Sequence, residues 1–367
     1  MNKVKLGTLG KFKNGLNFSA EKVSSGCKII GIPDFQNNYL APLNGLGEIS
    51  RDIVSDDYLL KDNDILFVRS NGNKALVGRT MLVVGLKSPT TFSGFCIRFR
   101  PYLDKVDPLY MLYLFKSPAF RKHFSKTQQT SINNLNQDVL GQIEIDLPDL
   151  DEQKRISSSI HCLTQKIDVN ERINDNLQQM AYDTFMHSFF RKESNGKLGD
   201  IIVENAKSPI QVGDAKAANN GDIPFFTSGD AILKWPEVLA TGRNCYLNTG
   251  GNADVKFYVG DAAYSTDTWC ITASGEMSDY LYLLLLSIKP ELNQKYFQGT
   301  GLKHLQKPML KDRPIYIPAT KELETFNKTV QPWFDMIASN VKESQSLVAL
   351  RDWLLPMLMN GQAVIED

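Results

Sequence analysis

Two rhythms of apolar and polar residues run along this chain, and each occurs twice. In the first half, "DILFV" (64–68), "ALVGRTMLVV" (75–84) and "FCIRF" (95–99) are β-branched and aromatic runs bounded by Gly, Asn and Ser. Such runs predict strands. A helix is expected over 108–124, with Pro108 in its first turn and Leu109, Leu112, Tyr113, Phe120 and Phe124 facing inward. "QIEIDL" (142–147) alternates like a half-buried strand. The second half repeats the order: "KFYVGDAAYS", "WCITA", a helix at 278–297, then "RPIYIP".

After each half the period changes to 3 and 4. From Asp149 to Phe190 there is neither Pro nor Gly, and Ile156, Ile160, Leu163, Ile167, Ile173, Leu177, Met180 and Thr184 predict one narrow helical seam. Phe326, Val330, Trp333, Ile337, Val341, Leu347, Leu350 and Leu354 predict a second. Narrow seams suit helices that pair with each other. The step from Ile167 to Ile173 breaks the heptad and predicts a stutter. At ~1.5 Å per residue each rod would be roughly 60 Å long. The rods are expected to pack antiparallel, with one strand-rich domain at each end. Pro148 and Pro318 end strands, and Asp149 with Glu152 and Thr320 with Glu322 and Glu324 are expected to cap the helices that follow.

An offset of 170 residues aligns Tyr110 with Tyr280, Ser117 with Ser287, Gln128 with Gln298, Thr130 with Thr300, Leu135 with Leu305, Leu140 with Leu310, Pro148 with Pro318 and Glu152 with Glu322. At larger offsets "KLG" (5–7) matches 197–199, "CIRF" (96–99) faces "CITA" (270–273), and "DNDILFVRS" (62–70) faces "VGDAAYSTD" (259–267). A duplication of about half the chain explains this most simply. The predicted fold class is therefore α+β: two pseudo-repeated mixed α/β domains joined by two long antiparallel coiled-coil-like helices. The expected segments are 1–148 and 193–318 for the domains, and 149–192 and 319–367 for the helices.

Composition narrows the chemistry. The chain has 367 residues, 42% of them hydrophobic and 22% charged, which suits a globular protein of two or three domains. No apolar run reaches ~18 residues, and Met1–Lys5 leads into no leader-like stretch, so a cytoplasmic protein is expected. Cys27, Cys96, Cys162, Cys245 and Cys270 are scattered, as expected of reduced thiols rather than a metal site. The 41 basic residues balance 41 acidic ones, so a nucleic-acid binder of this composition would draw much of its phosphate affinity from partners.

Three motifs imitate enzymes. "PDLDEQK" (148–154) has nuclease-like acids, but within one helical turn. "DPLY" (107–110) is one residue from an amino-methyltransferase motif and reads better as a helix start. "GTGLKH" (299–304) follows a helix, not a strand, so it fails the dinucleotide pattern. His123, His161, His187 and His304 form no ligand or triad spacing. No catalytic or metal residue is assigned.

Polar loops remain. Arg69, Asn71, Asn73, Lys74 and Arg79 lie on one, and Lys126, Gln128, Gln129, Asn133 and Asn134 on another. The second half offers Thr227, Ser228, Lys234, Thr266, Thr268, Gln298, Thr300, Lys303, His304 and Lys307. Arg pairs with guanine and Asn or Gln with adenine through two bonds each, while Lys and Ser/Thr more often hold phosphates. These are candidate DNA contacts, although such residues also fill exposed loops generally.

"DNDILFVRSNGNKALVGR" and "SINNLNQDVLGQIEIDLPDLDEQKRI", with the twofold domain–helix plan, resemble the specificity subunit of type I restriction-modification systems. The second copy departs from the motif, since "ATKELETF" lacks the Gln-Lys-Arg. The resemblance implies a non-catalytic reader of double-stranded DNA whose two target-recognition domains each read half of a split, asymmetric site. It implies that the helices dock two methyltransferase subunits, with restriction/translocase subunits joining for cleavage. No cofactor is expected on this chain; S-adenosylmethionine, ATP and magnesium would belong to the partners. Two alternatives stay open: a methylation-only or phage-defence specificity protein, and a coiled-coil scaffold without DNA.

Overall fold

The structure is a computed structural model that describes residues 2–18, 26–36, 38–73, 76–126, 135–218 and 221–363. It divides into two compact units, Met1–Ile167 with Ser346–Asp367, and Asp168–Gln345.

Unit 1 contains β1 (Asn2–Lys5), β2 (Gly10–Asn14), β3 (Gly26–Ile30), β4 (Gly47–Ser50), β5 (Ile65–Val68), β6 (Thr80–Leu82), β7 (Thr90–Phe92) and β8 (Cys96–Pro101). Then come α1 (Pro108–Lys116), α2 (Pro118–Lys126), α3 (Gln137–Gln142), β9 (Glu144–Leu147) and the start of α4 (Leu150–Phe189). A four-stranded antiparallel sheet, β2-β8-β5-β6, lies between helix α1 and a three-stranded sheet, β4-β3-β7. The reason is visible in β5. Ile65 and Phe67 join the core that contains α1, while Leu66 and Val68 join the core on the other face. A strand buried on both faces needs an unbroken apolar run, and "ILFV" supplies it.

Unit 2 repeats the plan. It holds β10 (Gly196–Lys197), β11 (Ile202–Glu204), α5 (Val212–Ala218), β12 (Ile223–Phe226), β13 (Ile232–Trp235), β14 (Arg243–Asn248), β15 (Val255–Val259), β16 (Ala263–Tyr264) and β17 (Thr268–Ala273). These are followed by α6 (Ser278–Ser287), the short α7 (Lys289–Glu291), β18 (Phe297–Gln298), β19 (His304–Leu305), α8 (Lys307–Lys311), β20 (Pro314–Ile315) and the first part of α9 (Thr320–Met359), whose last part belongs to unit 1. The sheets are β11-β17-β14-β15 and β13-β12-β16, strand for strand the order of unit 1. One bond shows how close the copies are: Leu6 N donates to Ile143 O at 3.0 Å, and Leu198 N to Arg313 O at 2.9 Å.

This topology corrects one expected alignment. The counterpart of β5 is β14, not 259–267, because each is the inner strand next to β8 or β17 and each turns back into a hairpin partner, β6 or β15. The expected helix over 108–124 is also two helices. Ser117 is extended (φ −62°, ψ 145°) and Pro118 starts α2, since the residue before Pro avoids helical backbone. Asp107 caps α1, accepting the Tyr110 amide at 2.8 Å, so "DPLY" is a helix start.

Both long helices have 40 residues. Their seams differ from the apolar pattern. In α4, Ile173 and Met180 are exposed, and the buried line passes through Gln153, Ile156, Ile160, Thr164, Ile167, Asn170, Ala181, Phe185 and Phe189. Polar residues carry it over the break that the pattern shows after Ile167. In unit 2 Asn170 is 1% exposed, and its Nδ2 donates to Glu343 Oε2 at 2.7 Å and Ser344 Oγ at 3.2 Å. Asn340 donates to Asn174 at 2.8 Å. Partner numbers fall as α4 numbers rise, so the two helices run antiparallel there. In α9 Leu350 is exposed, and Leu355 and Leu358 take the buried positions.

The caps are partly as expected. Asp149 Oδ1 accepts the Glu152 amide at 2.9 Å. Thr320 is the first helical residue rather than the cap. Ala319 holds that position: its carbonyl takes the Leu323 amide, and its own N–H donates to Glu322 at 3.1 Å.

Candidate nucleic-acid interface

In unit 1, β5 runs into the loop that starts at Arg69. The Arg69 amide donates to Phe95 O at 2.7 Å, and its carbonyl accepts the Leu135 amide at 2.8 Å. Arg69 Nη1 lies 3.4 Å from Gly94 O, which leaves the guanidinium half-exposed. Asn71 Oδ1 accepts the Asn73 amide at 2.9 Å, so Asn71 builds the turn that presents exposed Asn73. The loop closes where Gly78 N donates to Val68 O, and Arg79 bonds Gln36 O. Gly78 has φ +77°, and a Cβ there would sit 2.5 Å from the Phe124 ring. Helix α2 thus grips the base of the loop. Lys74, Gln128, Gln129, Asn133 and Asn134 lie outside the described residues, as does the side chain of Lys126.

Unit 2 makes the same junction. Thr249 follows β14, and its carbonyl accepts the Leu305 amide at 3.0 Å. Leu305 is the 170-offset partner of Leu135. The hairpin tip Thr249–Asn252 is therefore the counterpart of 69–73. Asn248, 4% exposed, builds this tip: its Nδ2 donates to Gly250 O at 2.7 Å and also to Asn252 O, and its Oδ1 accepts the Asp254 amide at 2.7 Å. Gly251, at φ +86°, donates to Lys303 O at 2.9 Å, which joins the tip to the exposed residues Gln298, Thr300, Lys303 and His304.

The other candidates in unit 2 stand apart from this junction. Thr227 and Thr268 are 6% and 5% exposed, and their hydroxyls are bonded within the chain. Thr227 Oγ1 donates to Ala231 O at 2.8 Å, and Thr268 Oγ1 pairs with Ser265 Oγ at 2.8 Å. Half-buried Ser228 and exposed Lys234 lie on the β12–β13 turn and strand, and Lys234 is 3.9 Å from Asp222. Thr266 is half-buried, its amide on Ile210 O. Lys307 lies 4.7 Å over the Trp269 ring and 3.9 Å from Glu204. Burial first lowers its pKa, against the Glu204 charge.

Thr249 and Asn252, on the hairpin tip of unit 2, are not among the residues expected from the sequence. The Gly-Gly in "NTGGNAD" between two apolar runs is a hairpin signal that would have found them. Among the described residues no group of His, Cys, Asp and Glu could hold a metal, and no helix is long and apolar enough to cross a membrane.

The family model of the type I restriction modification DNA specificity domain matches residues 1–179 and 192–346. Two Methanocaldococcus jannaschii proteins are similar. The type I restriction enzyme MjaIX specificity subunit is 22% identical over 72% of this chain and 71% of its own length. The MjaVIII specificity subunit is 21% identical over 86% of this chain and 82% of its own length. The crystal structure of a type I restriction-modification S subunit from M. genitalium shares the fold, with a TM-score of 0.63, 13% identity and coverage of 97% and 95% of the two chains.

Proposed function

The chain belongs to the type I restriction-modification DNA specificity family, and from that premise we propose that each unit reads one half of a split, asymmetric site in double-stranded DNA. The family's role is recognition, not catalysis. The observation that carries the reading is the repeated junction: Arg69–Leu135 in unit 1 and Thr249–Leu305 in unit 2 tie a hairpin tip to a second polar segment. Two tips with different residues on one scaffold would read two different half-sites.

Arg69, Asn73, Thr249, Asn252, Lys303 and His304 are the favoured contacts, because they sit at or beside these junctions. Arg and Asn suit base edges; Thr and Lys suit phosphates. Two methyltransferase subunits dock on the long helices in this reading, and restriction/translocase subunits add to them. Support comes from Val169, Ile173 and Met180, exposed by 47%, 37% and 47% and spaced by four and seven residues along one face of α4. S-adenosylmethionine, ATP and magnesium belong to those partners.

Sequencing of methylated bases in a host that carries this gene with its methyltransferase partner tests the reading. It should return one motif in two unlike parts separated by an unspecified gap. An undivided or palindromic motif would overturn it.

A further inference from the structure

Four basic side chains from four segments of unit 1 meet at the base of the Arg69 loop. Lys116, the last residue of α1, donates to Asn38 O at 2.9 Å and lies 4.4 Å over the Tyr39 ring. Arg351 of α9 lies 5.5 Å from the centre of the same ring. Arg79, at the end of the loop, donates to Gln36 O. Arg121 of α2 reaches Val77 O at 3.5 Å. All four are half-buried.

The charges that act on Lys116 are all positive. The bonds of Lys116 and Arg79 go to carbonyls, which bring no negative charge, and Arg351 pairs with its chain neighbour Asp352 at 2.8 Å. Burial, and then the positive charges of Arg121, Arg79 and Arg351, lower the Lys116 pKa to about 8. Burial and Arg79 lower Arg121 as well. Like charges held together out of bulk water are costly, and an anion seated among them relieves that cost.

We propose that Arg79, Lys116, Arg121 and Arg351 form a binding site for a backbone phosphate of double-stranded DNA, beside the loops with which unit 1 reads bases. The proposal rests on the DNA-reading function above and adds the residues that grip the duplex without reading it. Position supports it, because Arg79 closes the Arg69 loop and Arg121 lies on the helix that packs against Gly78. The site also draws on α9, so unit 1 is complete only with the C-terminal segment. Two of the site's residues are not repeated in unit 2: at the 170 offset Lys116 meets Leu286 and Arg121 meets Glu291.

The test uses the full chain in complex with its methyltransferase subunits. Binding to a duplex with the target and to one without it is followed by fluorescence anisotropy from 50 to 300 mM KCl. Lys116→Gln and Arg351→Gln should each reduce the slope of log K against log[salt], by no more than the ~0.9 that one phosphate contributes. Each should weaken both duplexes by the same factor and leave the preferred bases unchanged, while Arg351→Lys keeps the wild-type slope. An unchanged slope in variants that melt like wild type would overturn the proposal and leave the cluster only holding Gln36, Asn38 and Tyr39 in place. Loss confined to the target duplex would overturn it too, in favour of base contact. Should Lys116→Gln fail to fold, Arg121→Gln and Arg351→Gln decide by the same criterion. A wild-type complex that binds neither duplex would instead sink the DNA-reading function itself.

Discussion

Gly78 and Arg69 separate support from contact at the scale of single residues. Gly78 carries positive φ and faces the Phe124 ring with no space for a Cβ. Gly78→Ala should lower stability by about 1–3 kcal/mol, measured by urea unfolding, and should disturb recognition of the first half-site alone. Equal stability of variant and wild type would mean that α2 does not fix the loop. Arg69 is instead a contact in this account. Arg69→Ala should cost about 1–3 kcal/mol of binding and relax one base position. Uniform loss across all sequences would assign it to phosphate. The loop that begins at Arg69 was legible in the sequence because a polar stretch follows an apolar strand. Thr249 and Asn252 were hidden, because matching 62–70 with 259–267 by residue type skipped the Gly-Gly turn. Lys116, Arg121 and Arg351 were hidden for another reason. They lie on helices, far apart in the chain; packing around Tyr39 brings Lys116 and Arg351 together, and Arg121 comes in from the other side of the loop base, at Val77.

At the scale of elements, both long helices were legible from the absence of Pro and Gly and from the 3-and-4 spacing. Their seams were legible only in part. Asn170 and Asn174 take seam positions that an apolar pattern cannot show, and their bonds to Glu343, Ser344 and Asn340 fix how the helices pair in unit 2. The start of α9 gives a pH prediction. Glu322 accepts from Lys192, from the Tyr316 hydroxyl at 2.6 Å and from the Ala319 amide. The Lys192 bond above all, then those from Tyr316 and Ala319, hold its pKa down at about 2. A carboxyl with a lowered folded pKa stabilises the fold above its unfolded value near 4.5 and loses that contribution as pH falls towards 2. Wild type should therefore melt above Glu322→Gln at pH 7, and the difference should shrink between pH 4.5 and 2. Thermal melts followed by circular dichroism measure it; a gap that stays constant over that range would contradict the cap.

For the whole molecule, the duplication was visible as a constant offset of 170 from Tyr110 onward, where helices and caps keep step. It blurred in the strand-rich parts, where loops of different length separate the same strands, and the sheet order restored it. The central claim is that each unit reads its own half-site. Unit 1 also contains Ser346–Asp367, so exchanging residues 1–145 alone for those of a relative keeps both long helices and all of unit 2. Methylated-base sequencing of a host carrying this hybrid with its methyltransferase partner is the most direct test. The account predicts a motif with one new half-site and the other half-site unchanged. A motif with both halves altered, or with neither altered, would contradict it.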